Sequence, residues 1–274
     1  MRIVRALFVA TAYRSVRVHT LKMSSTAGCC PAGSLPYQKP DSVRMGTTKV
    51  LAGSSVEAYV PKDYVAGQPG CILVPDAFGW NSGRLRNVAD YFAEKAGYYA
   101  VVPKMMQPAY EGAQDGDGFP HELTSTPDGM PKMGEFFATL PYDSVIKPKI
   151  GGVVAHMKAA GVTKICVVGF CWGGWVVSNV LADGDFPEVV AGASPHPSIQ
   201  VEGWAHKAPN EALVARVKKP MQLLPAGNDN DMYRPGGLIW DTLIASSPES
   251  ELVDTFKEVL SHASFCLHHS PVSC

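Results

Sequence analysis

ICVVGFCWGGWVVSNVL, residues 165–181, changes its hydrophobic pattern halfway along, and that change decides the fold. Ile165, Val167 and Val168 form a short valine-rich run of the kind that makes a strand buried on both faces. After Gly169-Phe170-Cys171-Trp172-Gly173 the apolar residues Trp172, Val176, Val180 and Leu181 follow helical spacing. Strand, tight turn and helix, with glycines two before and two after a nucleophile-capable side chain, is the pattern of a nucleophile elbow. Without a Cβ at Gly169 and Gly173, strand and helix can approach closely around a strained central residue. The expectation is that Cys171 stands at the tip with its sulfur exposed, where the positive end of the helix favours a thiolate. The bland alternative is a buried cysteine in a βα turn, since free cysteine is often buried.

The elbow is usually written with serine. With cysteine, as G-x-C-x-G-G, it resembles the dienelactone hydrolase family of α/β-hydrolases. The resemblance runs from about Cys29 to His262, and its other parts are Asp76-Phe78-Gly79, the turn at Asp229 and His196-Pro197-Ser198. It implies an α/β fold with a doubly wound, mainly parallel sheet. It also implies cleavage of a small ester or lactone, of the carboxymethylenebutenolidase type, with no metal and no organic cofactor. A broad-specificity carboxylesterase or thioesterase, or a catalytically impaired binding protein, are the alternatives.

Working outward, the pattern of elements agrees with that fold. A strand pair is expected over Thr47 to Ala52 and Val56 to Val60, joined near Gly53-Ser54. A fully apolar strand, Cys71 to Pro75, precedes a helix with Leu85, Val88, Ala89, Phe92 and Ala93 on one face. Tyr98 to Pro103 is the next strand. Such alternation builds a parallel sheet. Residues 104–130, rich in Gly, Pro and Asp, lack periodicity and read as a long functional loop. Helices are expected over Met133 to Thr139 and Lys149 to Ala160. Beyond the elbow come the strand Val189 to Ala193, the helix Glu211 to Val217 and the strand Pro220 to Pro225. The helix Gly237 to Ala245 and a last strand, Leu252 to Val259, complete the series.

The chain has 274 residues, 46% of them hydrophobic, and a net charge of −1. That suits one large domain, placed at residues 47–274, and argues against nucleic acid as a partner. Seven cysteines in irregular spacing, without Cys-x-x-Cys, fit a reducing compartment. No apolar run approaches the roughly 20 residues of a membrane helix. Residues 1–22 carry Arg2, Arg5, Arg14, Arg17 and Lys22 with no acidic residue, the composition of a transit peptide or an upstream extension before Met23. The location is therefore read as cytoplasmic, or mitochondrial or another organelle if the segment is a transit peptide. Residues 23–46 read as an irregular leader, and its Cys29-Cys30 pair resembles the leaders of eukaryotic family members.

A thiol nucleophile needs a base, and the base needs an acceptor that fixes its tautomer. In α/β-hydrolases the chain order is nucleophile, acid, histidine. Cys171, Asp229 and His262 follow that order. Asp231 is the other candidate acid, since it stands four before Pro235, a spacing the family also shows. His196 is set aside because prolines flank it and it precedes either acid. Trp172 N–H and Ala77 N–H are the expected oxyanion donors. Asp76 stands where the family carries a glutamate that holds the resting thiol. After His262 the chain departs from the family, which continues with His-x-Phe, an arginine and a closing helix. Residues 263–274 lack that helix, so monomer or weak self-association is expected.

Overall fold

Each residue of the elbow strand faces a core, and alternate residues face different ones. The computed structural model describes residues 44–82, 84–227 and 229–252. The expectations placed on residues 1–43 and 253–274, His262 and the closing helix among them, lie outside the described residues. In β5 (Ile165–Gly169), Ile165 and Val167 point into the larger core while Cys166 and Val168 point into the smaller one. The strand β3 (Gly70–Val74) does the same, with Ile72 and Val74 on one side and Cys71 and Leu73 on the other. This is the period of two expected of strands covered on both faces.

The other strands are β1 (Thr47–Val50), β2 (Glu57–Val60), β4 (Tyr99–Pro103), β6 (Val189–Pro195), β7 (Met221–Leu224) and β8 (Glu251–Leu252). They form one sheet in the order β1-β2-β4-β3-β5-β6-β7-β8. β1 and β2 run antiparallel, as do β2 and β4, and all the other pairs are parallel. The doubly wound sheet of an α/β-hydrolase is therefore present. The order reverses at β3, which lies between β4 and β5, and the crevice beyond such a switch point is where open α/β sheets bind ligands.

Helix α1 (Leu85–Lys95) lays Leu85, Ala89 and Phe92 on the smaller core. Helices α2 (Gly129–Ala138), α3 (Lys147–Ala160) and α4 (Trp172–Ala182) pack on the opposite face. α4 is buried from Trp172 through Leu181, as befits a helix that is apolar on every side. Short helices α5 (Val201–Trp204) and α6 (Asn210–Val214), then α7 (Leu238–Ser246), finish the described chain. None of the described helices is long and apolar enough to cross a membrane.

Residues 104–130 are less irregular than their composition suggests. They contain 3-10 turns at Gln114–Gly116 and His121–Ser125, and α2 already begins at Gly129. Turns this short leave no periodic trace in a sequence. Asp117 ties the segment to the loop after β3, accepting from Trp80 N at 2.9 Å, and braces it internally by accepting from Met106 N at 2.7 Å. Arg86 and Lys104 also approach the Trp80 ring, at 5.2 and 4.6 Å from its centroid.

The contact between β5 and α4 leaves no room for a side chain. A Cβ on Gly169 would lie 2.1 Å from the Gly173 carbonyl oxygen. One on Gly173 would lie 2.8 Å from the carbonyls of Val74 and Pro75. Because backbone cannot yield as a flexible side chain can, Gly169→Ala should destabilise by about 3 kcal/mol or more. Gly184→Ala, where nothing lies within 4 Å, should stay within about 0.5 kcal/mol. Urea titration of both variants checks this, and equal stabilities would show that the elbow is looser than described.

Candidate active site

Cys171 occupies the turn between β5 and α4 with φ 51° and ψ −113°, a conformation that L-residues adopt only when their surroundings impose it. The surroundings are specific. Phe170 N donates to Val74 O at 3.3 Å, Cys171 N to Pro195 O at 3.4 Å, and Ser198 N to Cys171 O at 3.1 Å. The expectation of an exposed sulfur is corrected: Cys171 is only 8% exposed. The chain after β6 lies against the elbow, bridged at Cys171 and Pro197, and Ser198 Oγ sits 3.4 Å from Cys171 Sγ. Cys171 lines a cavity together with Ala77, Phe78, Trp172 and Ser198.

His196, set aside on the order of the chain, stands at this point. It follows the last residue of β6, and β6 lies between β5 and β7. A residue just past β6 is thereby set between one just past β5 and one in the turn after β7. His196 Nδ1 is 2.5 Å from Asp229 Oδ1, with both side chains buried, and the ring also interacts with Cys171. Its φ of 51° turns the ring into this space, and its N–H is held by Leu224 O at 3.0 Å. Burial alone would push the imidazolium to lower pKa. The bonds and charges of Asp229 and Cys171 outweigh burial and raise it to about 10. The available signal was spatial: Pro-His-Pro-Ser at the end of a strand that neighbours the elbow strand.

The two acidic candidates separate clearly. Asp229 Oδ2 accepts from Ala226 N at 2.6 Å, leaving Oδ1 for His196. Arg234 steadies the turn by donating to the Asp229 carbonyl at 2.8 Å and the Ala226 carbonyl at 2.7 Å. The Asp231 side chain is fully exposed and lies 3.3 Å from Arg234. The structure brings Asp229, not Asp231, to the histidine near Cys171. His262 lies outside the described residues.

The loop after β3 forms the opposite wall. Asp76 Oδ1 accepts from Phe78 N at 2.8 Å, and Oδ2 accepts from Ser82 Oγ at 2.9 Å. Its carboxylate thus folds an Asx turn around Ala77, and no contact with the Cys171 thiol is recorded among the described residues. Phe119 N closes the loop on Ala77 O at 2.9 Å. Ala77 and Trp172 line the same cavity as Cys171. Trp172 N–H belongs to the first turn of α4, where backbone donors have no partner within the helix. Burial is the largest influence on Asp76 and pushes its carboxyl up to about 7, against the pull of Phe78 N–H, Ser82 and His196. Among the described residues, no group of three or more His, Cys, Asp or Glu could hold a metal.

Comparison with known proteins gives this geometry a context. The family model described as the dienelactone hydrolase family matches residues 56–262. A carboxymethylenebutenolidase homolog of Rattus norvegicus is 32% identical over 161 residues, covering 58% of each chain. One from Homo sapiens is 30% identical over 141 residues, covering 51% of each. The matched part therefore spans about half to three fifths of those relatives. A solved structure from Klebsiella pneumoniae subsp. pneumoniae, assigned as a dienelactone hydrolase, superimposes with a TM-score of 0.56. It is 19% identical and covers 80% of this chain and 93% of its own, a likeness of fold.

Two outcomes are expected. Because Asp229 and Cys171 raise His196 to about 10, its ring should still carry both protons at pH 8. ¹⁵N NMR of the imidazole checks this, and Asp229→Asn should bring the titration down by one unit or more. Asp76 has a folded pKa raised to about 7, against about 3.9 in an unfolded chain. The stability it contributes is therefore complete at low pH and lost as pH rises through about 7. The Tm of Asp76→Asn, taken relative to the parent, should rise between pH 5 and pH 8. A flat difference would show that Asp76 is already ionised at pH 5.

Proposed function

Since the chain belongs to the dienelactone hydrolase family, we propose that it hydrolyses a small carboxylic ester or lactone through an acyl-enzyme on Cys171. The observation that carries this reading is the buried pair of His196 and Asp229, 2.5 Å apart, whose histidine also interacts with Cys171. A carboxylate that holds an imidazolium beside a thiol maintains the thiolate–imidazolium state from which a cysteine nucleophile acts.

The cycle then runs in two halves. The Cys171 thiolate attacks the carbonyl carbon and a C–S bond forms. The carbonyl electron pair moves to oxygen, where the Ala77 and Trp172 N–H groups stabilise the charge. As the intermediate collapses, the C–O bond to the alcohol breaks and the His196 imidazolium gives its proton to the departing oxygen. Water next attacks the thioester, His196 accepts one of its protons, and the C–S bond breaks to return the thiolate and release the acid. Asp229 holds the ring orientation and its charge throughout. Asp76 shapes the turn that aims the Ala77 donor.

A second assignment of the base has one observation in its favour. The family match ends on residue 262, which makes His262, the histidine that chain order picks out, the rival to His196. The two histidines can be told apart directly. An activated ester should give a burst of product equal to one acyl group, located on Cys171 by mass spectrometry, and Cys171→Ser should lose on the order of 10²-fold in rate. His196→Ala should abolish the burst while His262→Ala keeps it. The reverse would give the base to His262, and a burst that survives Cys171→Ser would sink the thiol mechanism. Asp229→Asn should cost orders of magnitude, and Asp231→Asn no more than a few-fold.

A further inference from the structure

The cavity that Cys171 lines says which part of a substrate it holds and of what chemistry. It measures about 190 Å³. Phe78, Met133, Phe137, Trp172, Val201 and Trp204 are among its lining residues. The aromatic members support one another: Phe137 stands 5.9 Å from Trp172 and 6.0 Å, at 88°, from Trp204. The polar side chains are all neutral, Thr124, Ser198 and Gln200. Tyr233 donates to Gln200 Oε1, which leaves the amide N–H₂ of Gln200 as a neutral donor. Among the described residues, neither a cation nor a carboxylate lines the cavity.

Two physical points follow. A carboxylate moved into such walls would give up its hydration with no charge among the described lining residues to replace it, which is strongly unfavourable. An apolar cavity of about 150 Å³ in another protein holds one benzene molecule, so about 190 Å³ accommodates a phenyl-sized group with a linking atom.

The direction of the substrate follows from the site already described, and this step rests on the Cys171–His196 reading. The proton for the departing alcohol comes from His196, which does not line the cavity. Ala77 and Trp172, whose N–H groups are the proposed donors, do line it. With the carbonyl oxygen toward those N–H groups and the leaving oxygen toward His196, the group left for the cavity is the one that stays on sulfur. We propose that this chain is selective for uncharged, apolar acyl groups of about phenyl size, and that it excludes acyl groups bearing a carboxylate.

Part of the pocket wall comes from the segment between β4 and α3. Met133 and Phe137 lie on α2, and Thr124 on the turn His121–Ser125. These side chains take no part in the proposed chemistry, so this part of the wall can be altered without touching Cys171, Ala77 or Trp172.

The test uses p-nitrophenyl esters, which share one leaving group. Acetate, hexanoate, phenylacetate and hemiglutarate are compared by kcat/KM and by the mass of the Cys171 adduct. Hexanoate and phenylacetate should exceed acetate by at least about 10-fold. Hemiglutarate should fall at least about 100-fold below hexanoate, because its carboxylate must be desolvated. Val201→Trp, which fills the cavity, should collapse the ratio of phenylacetate to acetate by about 10-fold or more. If Cys171 is acylated by all four esters alike, or best by hemiglutarate, the selectivity is overturned and the hydrolase reading stands. If no ester acylates Cys171, the hydrolase reading falls, and binding decides the cavity's chemistry. Benzamide should then quench tryptophan fluorescence at lower concentration than succinamate does, and the opposite order would overturn the cavity assignment as well.

Discussion

The close approach of β5 to α4 at Gly169 and Gly173 is the constraint on which the rest of the site depends. With 2.1 Å between a hypothetical Gly169 Cβ and the Gly173 carbonyl, strand and helix meet as backbone on backbone, and the chain reverses through a single residue. That residue must take a strained conformation, and Cys171 does so with φ 51°. The strain is held by the neighbouring strands, since both Pro195 O and Ser198 N engage the Cys171 backbone. The helix then starts immediately, so the N–H of Trp172 and the positive end of α4 lie next to Cys171, where the proposed mechanism develops charge on a carbonyl oxygen. The elbow turn, the first N–H of α4 and the placement of Cys171 are consequences of one contact.

The electrostatics of the site follow from burial. In a protein interior opposite charges attract more strongly than in water, and unpaired ones are costly. Asp229 and Cys171 raise the pKa of His196 to about 10, in spite of a burial that works the other way. Asp76 is also buried, but its partners are an amide and a hydroxyl, and its carboxyl rises to about 7. The contrast between these two carboxylates divides their work. One pairs with His196, the base of the proposed mechanism, and the other acts as a structural acceptor that bends the loop around Ala77.

The cavity is shared between the elbow and the helices beside it: Ala77, Cys171 and Trp172 line it together with side chains of α2 and α5. The residues at the ends of β3, β5, β6 and β7 surround the thiol, while α2 and α5 close the apolar cavity beside it. The segment supplying α2 is tied down through Asp117, whose carboxylate receives the N–H groups of both Trp80 and Met106. A buried carboxylate bridging two loops lets a glycine- and proline-rich stretch carry a defined wall, despite having little regular structure of its own.

The elements of the sheet were legible in the sequence because a strand covered on both faces must be apolar at each position, and β3 and β5 are. The elbow was legible for a related reason: glycines at fixed spacing are a local requirement of backbone contact, visible wherever the contact occurs. The choice between Asp229 and Asp231 was not local. Both sit in one polar turn, and only the packing of β7 beside β6 turns the first inward while the second remains in solvent. His196 shows the limit most plainly. Chain order placed it before the acid and argued against it, but side chains meet according to strand order, and β6 lies between β5 and β7. The burial of the Cys171 sulfur likewise came from a neighbour, the chain after β6 lying across the elbow. By itself the sequence determined which segments form strands and helices and where the backbone must turn. Tertiary structure alone decided which polar side chains share a low-dielectric space, because that depends on neighbours far away in the chain.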